Sequence, residues 1–177
     1  MFKKILMLLA ILVSGFIGFL VISVGLDLYQ EELLKKEITD LTNNYNEKCN
    51  ELFISGKAVL ICPEQLGGLT TPRVPSELQA KAKDILEGNG KVVTKEGMDV
   101  TKQFIKGAKE VVEIAKKLSI STAILKERSP SCGVNFVYDG SFNGNKVKGK
   151  GITAEMLNEI GINTISEKFL DLKGLNV

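Results

Sequence analysis

Residues 120–133 read ISTAILKERSPSCG. The short β-rich apolar run predicts a buried strand over residues 120–126, and the Ser, Pro and Gly after it predict a loop over 127–133 that carries Cys132. The same pairing occurs upstream, where residues 57–62 (KAVLIC) predict a strand ending at Cys62 and Pro63. Residues 162–166 (INTIS) predict a third strand. Helical stretches lie between them, and strands separated by helices predict an α/β fold. The expected architecture is a mostly parallel sheet with flanking helices, a Rossmann-like three-layer arrangement.

The intervening elements follow from caps and periodicity. Ser76 is a candidate N-cap for a helix through Leu86, closed by Gly88, Asn89 and Gly90. Residues 91–100 (KVVTKEGMDV) predict a small hairpin. Asp99 or Thr101 then caps a helix running to about Leu118, with Phe104, Ala108, Val111, Ala115 and Leu118 on one apolar face. The Gly- and Asn-rich residues 138–151 predict a loop. Thr153 opens a further helix, with Glu155 in its first turn and Gly161 at its end.

Residues 1–26 contain no acid, and residues 5–26 carry no charge at all. As a helix that run is about 33 Å long at ~1.5 Å per residue, enough for a bilayer core. It predicts one uncleaved transmembrane or signal-anchor segment. A cleaved signal peptide and a buried first strand around Ile11 to Ser14 are the alternatives. Residues 27–42 are rich in Glu, Lys and Leu and predict a charged helical spacer, leaving residues 43–177 as the α/β domain. Lys3 and Lys4 before the run are matched by Lys35 and Lys36 after it, so charge does not orient the span.

The 177 residues include 23 Lys plus Arg, 21 Asp plus Glu, and no His. Removing Lys3 and Lys4 leaves 21 basic against 21 acidic residues, which argues against a nucleic-acid partner bound through a broad basic face. Without His there is no Ser-His-Asp triad, no Cys-His dyad and no imidazole-ligated metal. Chemistry falls to Cys, carboxylates, hydroxyls, Lys, Arg or backbone amides.

Ligands of open α/β sheets collect beyond the carboxyl ends of strands, where Cys62 and Cys132 are both expected. Each is flanked by Pro and Gly, residues that fix the chain path and let a backbone approach a ligand. Two small buried hydrophobes, or a disulfide in an oxidising compartment, are the alternatives. Glu64 is the nearest carboxylate, either a solvated turn residue or a general acid/base for a site without His. Arg73 either binds an anion or braces its loop, and Asp139 either closes a turn or joins the site. Cys49, in a helical stretch, reads as a core or surface thiol.

Five segments in order, CPEQLGGLTTPR (62–73), GMDVTKQFIKGA (97–108), AILKERSPSCG (123–133), YDGSFNG (138–144) and GKGITAEMLNEIGINTISE (149–167), resemble the bacterial 2-thiouracil desulfurase family. The resemblance implies a [4Fe-4S] cluster on three cysteines, with a fourth iron open to the sulfur of a thiolated base. Soft cluster iron suits sulfur ligands. It implies Cys62 and Cys132 as cluster ligands, Glu64 as the catalytic carboxylate, and Ser131 as a hydrogen-bonding catalytic residue, with Ser129 a weaker candidate. The family begins with a strand and a Cys-containing loop, roughly ILVSACLLG. Here residues 11–18 read ILVSGFIG, with Phe16 where that cysteine falls, so Cys49 or another donor would have to complete the site. The function implied is removal of sulfur from a thiolated nucleobase such as 2-thiouracil, and the partner a small thiolated base. The alternative is a non-catalytic membrane-anchored domain that binds a small ligand. A cluster with an open iron needs a reducing compartment, which favours the cytoplasmic face of the membrane.

Overall fold

A computed structural model of the chain describes residues 47–169. Helix α1 spans Glu47–Ile54 and the single-turn α2 spans Pro63–Leu66. Strand β1 (Ser76–Leu78), helix α3 (Ala82–Leu86) and strand β2 (Val92–Thr94) follow, then the long helix α4 (Thr101–Lys117). After β3 (Thr122–Leu125) come β4 (Phe136–Tyr138), β5 (Lys146–Lys148), α5 (Ile152–Glu159) and β6 (Asn163–Ser166). A 3-10 turn, Glu167–Phe169, ends the described chain.

The fold is α/β, but its sheets are small and mixed. Strands β3 and β6 pair in parallel from Thr122↔Asn163 to Leu125↔Ser166, while β1–β2 and β4–β5 are antiparallel pairs. The strand expected over residues 57–62 is not formed. Val59 and Leu60 are 59% and 64% exposed. An apolar extended run becomes a strand only when a neighbour completes its ladder, and no described strand pairs with this one. The helix expected from Ser76 also starts later. Residues 76–78 instead pair with β2, placing Leu78 opposite Val92, both buried. The turn after β2 is the predicted hairpin, closed by Thr94 N–H donating to the Met98 carbonyl at 2.9 Å.

Helix α4 is the expected amphipathic element. Its N-cap residue is Val100, which no side chain caps, so neither predicted cap residue takes that position; Asp99, one residue earlier, accepts the Thr101 amide at 3.0 Å and the Thr101 hydroxyl at 2.6 Å on Oδ1. Phe104, Gly107, Ala108, Val112 and Ala115 form its buried face. That face turns slightly from the predicted one, with Val112 in place of Val111 and Leu118 exposed beyond the helix end. One core gathers Phe104, Ile85, Val92, Leu78, Val137 and Ile152. A second gathers Val112, Leu125, Ala154, Leu157 and Ile162, and Met156 borders both. Each full burial of a side chain of Phe or Leu size contributes about 1.5–3 kcal/mol.

The membrane-anchored localisation expected from residues 5–26 is overturned: among the described residues no helix is long and apolar enough to cross a membrane. Residues 5–26, the 27–42 spacer and Phe16 lie outside the described residues.

Candidate active site

Cys62 ends the extended run at the N-cap position of α2, with φ −108° and ψ 107°. Pro63 follows at the first helical position, where a missing N–H costs nothing and a fixed φ suits the turn. That turn places Glu64 one residue further in, with a side chain 18% exposed. Arg73 closes over both residues. Its Nε sits 2.9 Å from Glu64 Oε2, its Nη2 donates to Cys62 Sγ at 3.4 Å, and its Nη1 donates to the Thr70 carbonyl at 3.1 Å. Of the two readings open to Arg73, the structure displays the brace.

Helix α2 is held by a close crossing with α4. A Cβ on Gly67 would collide with the Gln103 carbonyl, and one on Gly107 with the Pro63 carbonyl. Two glycines therefore let backbone meet backbone where α2 carries Cys62 and Glu64 onto the core.

Cys132 lies in the loop after β3, partly buried against the second core. Ser129 Oγ accepts the amides of Ser131 and Cys132, each at 3.1 Å. Ser131 is fully buried, and its hydroxyl is paired with Thr153 Oγ1 at 2.8 Å. The N-terminal amides of α5 are consumed by the same loop: Ile152 N–H donates to the Pro130 carbonyl and Thr153 N–H to the Ser131 carbonyl, at 3.0 and 2.8 Å. Gly151 has no room for a side chain, since a Cβ there would strike the Ser131 carbonyl group.

Electrostatics tie the two loops together. Burial first, and then the nearby Glu64 charge, push the Cys132 thiol up to about 12. The Ser131 hydroxyl pulls it back, the Cys62 sulfur adds a smaller rise, and Ser129 a small decrease. Burial also raises Glu64 above the usual carboxylate range, partly offset by the positive charges of Arg73 and Lys126. Cys62, Glu64 and Cys132 thus share one electrostatic neighbourhood.

Cys49 and Asp139 have different surroundings. Cys49 is raised by burial and by the charge of Glu167, an acid of the 3-10 turn. Asp139 closes a turn by accepting the Ser141 amide at 3.0 Å. Among the described residues no group of three His, Cys, Asp or Glu side chains is arranged to hold a metal ion. Two residues near the site had no role in the sequence reading. Lys126 bears on Glu64, and Glu127 folds back on the Cys132 loop; only their position beside SPSCG hinted at either.

The 2-thiouracil desulfurase family matches residues 33–168. This chain belongs to that family. Cys62, Glu64, Ser131 and Cys132 all fall within the matched stretch, as the order of the five motifs implied. The solved structure of TudS, a [4Fe-4S]-dependent thiouracil desulfidase, superposes with a TM-score of 0.63 at 38% identity, over 71% of this chain and 78% of TudS. The Bacillus subtilis (strain 168) protein YbbK, described only as uncharacterized, is 45% identical over 127 residues, 71% of this chain and 84% of YbbK.

Proposed function

We propose that this desulfurase-family chain removes sulfur from a thiolated nucleobase such as 2-thiouracil, with Cys62 and Cys132 holding a [4Fe-4S] cluster. The observation that carries the reading is Arg73 reaching both Cys62 Sγ and Glu64 Oε2, at 3.4 and 2.9 Å, in a chain that matches the desulfurase family over residues 33–168. The donor set fits the cluster in kind, since thiolates are the usual ligands of its iron. In number the two loops supply two cysteine sulfurs, the third described cysteine, Cys49, lies beside Glu167, and the position matched to the family's first cysteine carries Phe16. When bound, the cluster supplies soft iron for the sulfur of the base.

The chain's own residues account for the proton chemistry. Water oxygen replaces sulfur on the ring carbon: a C–O bond forms, the C–S bond breaks, sulfur leaves as sulfide, and no electrons are exchanged. Arg73 holds Glu64 Oε2, which leaves Oε1 to take one proton from the attacking water and pass it to the departing sulfur; the second water proton follows it, so uracil and hydrogen sulfide are the products. A carboxyl raised above its usual range is suited to that exchange nearer neutral pH. Ser131, buried against Thr153, acts in this reading on the Cys132 sulfur and not on the base.

The test is sulfide and uracil release from 2-thiouracil by the full chain reconstituted anaerobically with iron and sulfide. Equal amounts of both products are expected, with Glu64→Gln slower by about 100-fold and iron content unchanged. No product from a wild-type chain that has taken up iron would overturn the reading for this substrate.

A further inference from the structure

Glu127 takes no part in the proton transfer described above, yet its side chain is more heavily hydrogen-bonded than any group in the site. The residue is 7% exposed. Its Oε1 accepts three successive amides, from Val134 at 3.2 Å, Asn135 at 3.0 Å and Phe136 at 2.9 Å. Its Oε2 accepts Asn135 Nδ2 at 3.0 Å. Three consecutive N–H groups aimed at one oxygen form a nest, and a buried carboxylate is tolerated only with such donors.

What the nest encloses gives it a purpose. Residues 128–133, with Cys132 among them, are the segment between Glu127 and the first amide it binds. Arg128 N–H donates to the Phe136 carbonyl at 3.1 Å and closes the neck of the loop. The far side is held by α5 through the Pro130 and Ser131 carbonyls. Glu127 itself is anchored from behind, its N–H donating to Glu167 Oε2 at 2.7 Å. The base of the Cys132 loop is therefore held by the Glu127 side chain together with a single β-bridge between Arg128 and Val137.

We infer that Glu127 is a positioning residue that presets the shape of the Cys132 loop before any ligand arrives. Its use in catalysis rests on the desulfurase reading; the geometry does not. The test is site-resolved alkylation of the metal-free full chain by iodoacetamide at fixed pH, followed by peptide mass spectrometry. Cys49 and Cys62 serve as internal controls. In Glu127→Ala the loop opens locally, and Cys132 alkylation accelerates about 10-fold while the two controls change by less than about twofold. Glu127→Gln restores most of the protection, because the amide oxygen accepts the same three N–H groups. Equal acceleration at all three cysteines would show a global loss of stability and overturn the inference, as would unchanged Cys132. Should Glu127→Ala not fold, Asn135→Ala at an exposed residue removes one donor. A smaller rise confined to Cys132 is then expected, and its absence overturns the inference. Iron uptake by the wild-type chain tests the desulfurase reading separately, so the two failures are distinguishable.

Discussion

Arg73 sets the state of the site by touching both Cys62 and Glu64. Its guanidinium fork reaches two partners at once, which a lysine ammonium cannot reproduce. Because its charge lowers a carboxyl that burial raises, removing it moves Glu64 further up. In Arg73→Ala the limb of the pH–rate profile that belongs to Glu64 shifts to higher pH, and in Glu64→Gln that limb disappears. A limb at the same pH in wild type and Arg73→Ala would remove Glu64 from the chemistry. Glu127 has the opposite sign. Burial alone would raise it, but the Phe136 and Asn135 amides and the Asn135 side chain hold it at about 2. Its ionised form therefore stabilises the fold above the ordinary carboxylate value of 4.5, and that contribution fades as pH falls towards about 2. Denaturant melts across this range should show wild type ahead of Glu127→Gln at pH 7 and the gap closing in acid. Cys62, Glu64, Ser131 and Cys132 stand out in the sequence through their motifs, and their roles are part of the proposal. The work of Glu127 was not legible there, because its partners are backbone amides that only the folded loop brings together.

At the scale of elements, the crossing of α2 and α4 positions the first half of the site. In the sequence the glycines after Cys62 read as room for a ligand to approach the backbone, yet Gly67 packs against the Gln103 carbonyl. Gly67→Ala and Gly107→Ala force the helices apart, at a cost of about 1–3 kcal/mol each in unfolding free energy. Desulfurase activity should fall in both, because α2 carries Cys62 and Glu64 away from Cys132. Full activity in a destabilised Gly67→Ala would show that the spacing of the loops tolerates that movement. Helix α4 was legible because 3.6-residue periodicity is local. Strand β1 was not: Ser76 heads a stretch of helical composition, and only its pairing with Thr94 makes it a strand. Residues 57–62 show the converse, a strand-like composition without a described partner.

For the whole molecule, family membership was legible because five separate motifs keep their order along the chain, a signal that no single Gly-rich loop provides. The parallel character of the sheet was legible only in part, since β3 and β6 pair as expected while the other pairs are antiparallel. The membrane anchor was inferred from hydropathy alone, and among the described residues no helix spans a bilayer. The central claim is that Cys62 and Cys132 jointly hold an iron–sulfur cluster. Its most direct test is iron counting with EPR of the reduced, anaerobically reconstituted full chain, alongside Cys49→Ser, Cys62→Ser and Cys132→Ser. The account predicts about four irons per chain, retained in Cys49→Ser and lost in the other two variants. Iron bound equally well by Cys62→Ser or Cys132→Ser, or no cluster in the wild type, would contradict it.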